Sequence, residues 1–108
     1  MATVYKVLGQ VKPNATTNTT LYTVPSATSA VVSTLAVTNL GVSTTFRIAV
    51  RPSGATIADQ HYIVYDSTLN AGSSVYLTLG ISLAATDVVT VYAGTANVAF
   101  NLFGSEVS

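Results

Sequence analysis

Strand-favouring residues alternate with polar ones along almost the whole chain, and nowhere do apolar residues recur at the three-to-four spacing of an amphipathic helix. Thr44–Arg51 shows the alternation most cleanly. Phe46, Ile48 and Val50 are expected on a core face, with Arg47, Ala49 and Arg51 opposite, the period of two of a half-buried antiparallel strand. The same reading places strands at Val4–Val11, Thr20–Val24, Ser29–Asn39, His61–Asp66, Ser74–Ile81, Val88–Tyr92 and Val98–Phe103. Between them stand turn signals: Lys12-Pro13-Asn14, Pro25, Asn39-Leu40-Gly41, Pro52-Ser53-Gly54, Asn70-Ala71-Gly72 and Gly94-Thr95. Continuous alternation predicts Tyr5, Val7 and Val11 on one side of the first strand. It likewise sets Val31, Leu35 and Val37 against Val32, Thr34, Ala36 and Thr38 on the third.

About eight short strands in 108 residues leave room for one domain, spanning 1–108. The expected fold is all-β, an antiparallel β-sandwich with Greek-key or jelly-roll-like connections. A chain of this length can bury enough surface for one core without crosslinks. It contains no cysteine, so disulfides, thiolate nucleophiles and cysteine-based zinc sites are all excluded.

Charge is scarce. Only 7% of the residues are charged, and four bases balance four acids, against about 25% charged in an average domain. A surface with so little like-charge repulsion favours self-association or life within an assembly. Lys6, Lys12, Arg47 and Arg51 form no cluster that would neutralise phosphates, so nucleic acid is not an expected partner. The apolar stretches fall short of the roughly 20 residues a spanning helix requires, and no membrane is expected. The N-terminus lacks a charged leader followed by an apolar run, so export by its own signal is not expected either.

Catalytic constellations are thin. His61 is the only histidine, and a triad would have to combine it with Ser53 and Asp59. In the simpler reading Asp59-Gln60 closes a loop and His61 opens a strand. A glycosidase-type acid pair could come only from Asp59, Asp66, Asp87 and Glu106. Asp66 and Asp87 lie beside turn residues, where aspartate commonly bonds to nearby backbone. The residue supply excludes a metal cluster and a glycine-rich phosphate loop, and no cofactor is expected.

Binding residues are easier to nominate. Of the six tyrosines, Tyr62 (with Val64) and Tyr76 (with Thr78) are expected opposite the more apolar face of their strands, partly exposed and available to an interface. Arg47 and Arg51 share one strand face, as an intersubunit anchor or as partners of Asp59 or Asp66 across a hairpin.

Several segments resemble small β-sandwich virion proteins of tailed bacteriophages: Thr20-Leu21-Tyr22-Thr23-Val24-Pro25, Val31-Val32-Ser33-Thr34-Leu35 with Val37-Thr38-Asn39, and Phe46-Arg47-Ile48-Ala49-Val50. His61-Tyr62-Ile63-Val64-Tyr65-Asp66, Leu77-Thr78-Leu79-Gly80-Ile81 and the ending Phe100-Asn101-Leu102-Phe103-Gly104-Ser105-Glu106 are similar to the same family. The resemblance implies a non-enzymatic head-decoration or cement subunit, made in the host cytoplasm and located in the virion. Its partners would be the major capsid protein or another virion protein, and copies of itself, with a trimer suited to capsid junctions. A tail, neck or fibre component and a carbohydrate-binding module are the alternatives. The resemblance transfers no functional residues.

Overall fold

Branched and aromatic side chains fill pleated strands, and the computed structural model, which describes residues 2–78 and 80–108, contains nine of them. They are β1 (Thr3–Val11), β2 (Thr19–Thr23), β3 (Ser29–Asn39), β4 (Thr44–Arg51), β5 (Tyr62–Leu69), β6 (Ser74–Leu77), β7 (Ile81–Leu83), β8 (Val88–Ala93) and β9 (Val98–Val107). Short 3-10 turns at Pro52–Gly54 and Asp59–His61 join β4 to β5. One sheet runs β1-β9-β3-β6, with β7 also paired to β3, and the other runs β2-β8-β4-β5. All pairings are antiparallel. The chain crosses between sheets at most connections, and β6 and β7 divide one strand position along β3. This order is that of a jelly roll, an antiparallel β-sandwich built from two Greek keys.

The described residues form nine strands where about eight were expected, because Ser74–Ile81 is two pieces. β6 pairs with Leu35–Thr38, and β7 pairs with Ala30–Val32. Leu79, placed within that single expected strand, lies outside the described residues, as does Met1. β9 extends four residues past Phe103, held between β1 and β3 through Val107. His61 belongs to the 3-10 turn and not to β5.

Between the sheets Phe46, Leu35, Ile48, Leu69, Phe100 and Leu102 are all but fully buried. The rings of Phe46 and Phe100 meet at 6.3 Å between centroids, tilted by 60°, a favourable offset geometry. One polar side chain shares this depth. The amide nitrogen of Asn39 donates to the carbonyls of Val42 (2.8 Å), Leu69 (3.0 Å) and Asn70 (3.1 Å), while its oxygen accepts from the Gly41 N–H at 3.0 Å. Asn39 therefore ties the end of β3 to the β5–β6 turn.

Bulges reset the alternation. β1 shifts register between Val7 and Gly9, opposite Phe103 and Leu102 on β9, and the extra residue is Leu8. Leu8 is buried while Tyr5 and Val7 face solvent, and beyond the bulge Val11 packs on the core. The expected common face of Tyr5, Val7 and Val11 is thus broken. On β3 the extra residue is Ser33, whose hydroxyl donates to the Phe103 carbonyl at 3.2 Å. Before it Ala30 and Val32 point inward and Val31 outward; after it Leu35 and Val37 point inward. The strand was expected to keep Val31 with Leu35, and the extra residue is why it does not.

Candidate functional site

The outer face of the four-stranded sheet carries a cluster that backbone irregularity assembles. On the β4–β5 ladder Phe46 pairs with Ser67 and Ile48 with Val64, so two residues of β5, Tyr65 and Asp66, stand opposite Arg47 alone. Asp66 takes the left-handed conformation (φ 51°) that such a two-against-one bulge uses. Both side chains consequently reach one guanidinium. Arg47 donates from Nε to Asp66 Oδ1 at 2.6 Å and from Nη2 to Oδ2 at 3.3 Å. The Tyr65 ring lies 4.3 Å from the guanidinium carbon, and Tyr92, paired with Arg47 on β8, lies 4.2 Å away on its own side. A planar cation between two rings and a fork-to-fork carboxylate is a fixed arrangement, not a wandering surface charge. The Arg47 guanidinium holds the Asp66 carboxyl below its ordinary range, chiefly through that hydrogen bond, and Asp66 in turn raises the pKa of Arg47.

A second β5 bulge, at Ile63, sets Tyr62 opposite Ala49 and Val64 opposite Ile48. Tyr62 and Val64, expected on one face, are therefore separated: Val64 packs on the core, and Tyr62 joins Tyr65 outside. The two tyrosine rings are 4.9 Å apart and nearly perpendicular at 81°. With Asp59 they line a cleft of about 420 Å³. Ala49, expected outward, is buried between Thr90 on β8 and Tyr62 on β5. Arg51 does not pair with an acid. Its Nε donates to Thr90 Oγ1 at 3.1 Å and its Nη1 to the Ala55 carbonyl at 3.0 Å, clamping the 52–61 connection.

The opposite face of the molecule is the outer surface of the five-stranded sheet. Tyr5 (84% exposed), Val7, Val31 and Phe103 lie there, with Val7 paired to Phe103, and both Tyr5 and Val31 paired to Ser105. Tyr5, Val31 and Phe103 border a shallow groove of about 440 Å³ over Gly104. Tyr76, 69% exposed on β6 opposite Ala36, belongs to this side. Of the four nominated interface residues, Arg47, Arg51 and Tyr62 share one face of the sandwich and Tyr76 occupies the other.

At one end the sheets are joined by polar groups. Tyr22 on β2 donates its hydroxyl to Glu106 Oε2 at 2.5 Å, and Lys6 pairs with Oε1 at 3.0 Å. The Tyr22 and Lys6 hydrogen bonds hold the Glu106 carboxyl below its usual range, and burial together with Glu106 pushes the Tyr22 phenol up.

Two of the residues weighed for catalysis, His61 and Asp87, bond to backbone groups. His61 Nδ1 accepts from the Ala58 N–H at 3.0 Å, and the Asp87 carboxylate accepts from Ser53 N and Ala84 N, each at 2.9 Å. Among the described residues no three His, Cys, Asp or Glu side chains converge as a metal site, and no helix is long and apolar enough to cross a membrane.

Fold and surface together define a jelly-roll β-sandwich with two tyrosine-bearing faces. Compared with family models, curated proteins and solved structures, the chain matches none.

Proposed function

We propose that this chain is a virion structural subunit of a tailed bacteriophage, a head-decoration protein that holds neighbouring coat subunits by non-covalent contacts. The observation that carries the reading is the pair of exposed, tyrosine-bearing faces on opposite sides of one sandwich. One exposes Tyr5, Val7, Val31 and Phe103, with Lys6 bordering its groove; the other is built on Arg47, Tyr62 and Tyr65. Tyrosine and arginine concentrate in interface hot spots, and a subunit with two such faces can bridge. Charged residues at 7% leave little repulsion between crowded copies. Jelly rolls serve viral capsids and lectins alike, so the fold agrees with the reading without selecting it. The reading includes self-association, with a trimer suited to junctions, and many weak contacts adding through avidity.

Cosedimentation with tailed-phage capsids stripped of accessory proteins tests it. The wild-type chain should pellet with the capsids, and the Tyr5→Ser/Phe103→Ser double variant, folded by circular dichroism, should pellet much less. Failure of the wild type to pellet would move the assignment to a tail, neck or fibre.

A further inference from the structure

We propose that the cleft between Tyr62, Tyr65 and Asp59 binds a neutral saccharide. This inference does not rest on the capsid reading, although the cleft shares Tyr62 and Tyr65 with the second of the two faces invoked there.

Three observations lead to it. First, the cleft's volume of about 420 Å³ falls within the roughly 300–1,000 Å³ of small-molecule sites. Second, two tyrosine rings line it, 4.9 Å apart and nearly perpendicular to each other. An aromatic face is electron-rich and attracts the polarised C–H bonds on the flat side of a pyranose ring. Tyrosine hydroxyls and the Asp59 carboxylate, which has no ion-pair partner among the described residues, supply acceptors for equatorial sugar hydroxyls. Third, the rings are fixed beforehand. Arg47, locked by Asp66 and stacked on Tyr65 at 4.3 Å, holds that ring in place, so little side-chain freedom is lost on binding.

Charge chooses the ligand class. On this face and its loop the guanidiniums of Arg47 and Arg51 stand with the carboxylates of Asp59 and Asp66, and the Asp87 carboxylate is bonded to the loop at Ser53 N. A second cation at Tyr65 would meet the guanidinium already seated there, and an anion would meet the unpaired Asp59 carboxylate. An uncharged polyhydroxylated ligand meets neither obstacle.

The test is saturation-transfer NMR with titration, using maltotetraose, cellotetraose, chitotetraose and a lysine tetrapeptide as probes. At least one tetrasaccharide should bind in the millimolar range. Tyr62→Ala and Tyr65→Ala should each weaken it about tenfold, and Asp59→Asn roughly fivefold. Tyr76→Ala, on the far face, should leave binding unchanged, with folding of each variant checked by circular dichroism. Binding of the lysine peptide alone would overturn the proposal in favour of a cationic partner. Absence of any tetrasaccharide binding, or binding insensitive to Tyr62→Ala, would also overturn it. A chain that binds sugar yet ignores capsids would refute the head assignment and leave this site standing.

Discussion

Gly104→Ala tests how the bulged centre of the five-stranded sheet is built. Gly104 lies on β9 between β1 and β3, paired with Lys6 on one side and Val32 on the other, next to the extra residues of both neighbouring strands. A methyl group there would run into the backbone carbonyl oxygen of Val31 and would also touch Leu8 Cδ1 at 3.1 Å. The obstacle is backbone held in a ladder, so it cannot swing aside as a side-chain tip would. Overpacking of this kind costs about 1–3 kcal/mol, and a disturbed ladder hydrogen bond adds about 1 kcal/mol. Loss of glycine's freedom in the unfolded chain offsets about 0.4–1 kcal/mol of that. The net expectation is a loss of about 2–3 kcal/mol, or roughly 10–20 °C in Tm for a domain of this size. Thermal melting followed by circular dichroism, with urea unfolding alongside, reads it directly. Gly9→Ala is the comparator. Its methyl would meet the Leu21 carbonyl oxygen, but β1 is an edge strand and can retreat, so the loss should be smaller. A Gly104→Ala protein melting within about 2 °C of wild type would refute the reasoning.

Asn39→Ala removes an amide that serves three carbonyls and one N–H at the end of β3, and should cost about 2–4 kcal/mol by urea unfolding. A cost below about 1 kcal/mol would mean that water replaces the side chain there. Glu106 is held below its ordinary value of 4.5, so its contribution is present above about pH 4.5 and is lost as pH falls through the lower folded-state value. Melting temperature against pH should therefore fall on the acid side, and Glu106→Gln should flatten that limb, with Asp66 supplying the remainder; an unchanged slope would contradict the assignment. Arg47→Lys keeps the charge but loses the planar stack between Tyr65 and Tyr92, and should destabilise by about 1 kcal/mol. A melt equal to that of wild type would show that the stack contributes nothing to stability.

What the sequence made legible was the layered architecture and the best-patterned strand. β4 runs over Thr44–Arg51 as its alternation predicts, with Phe46 and Ile48 in the core. What escaped was phase. A bulge is a pairing of two residues against one, and nothing in strict alternation announces it. There was nevertheless a trace: Val7-Leu8, Val31-Val32 and Ile63-Val64 are apolar doublets beside or within the irregularities, and in each pair one member packs inward while the other is exposed. Val7 and Val31, the outward members of the first two pairs, belong to the apolar face that simple alternation had turned inward or left unassigned. The Arg47 site was half legible. A cross-hairpin partner was expected among Asp59 and Asp66, and Asp66 is that partner. Tyr65 and Tyr92 were not singled out, because their convergence on Arg47 depends on the bulge at Asp66 and on the β4–β8 register. The role of Arg51 as a clamp on its own following loop also depends on that loop's three-dimensional path.

The head-decoration reading is best tested by electron cryomicroscopy of tailed-phage heads, stripped of accessory proteins and then incubated with the purified chain. New density should appear at symmetry-related positions over the whole head, one sandwich contacting more than one coat subunit. Density confined to the neck, tail or fibres, or bare heads, would contradict it.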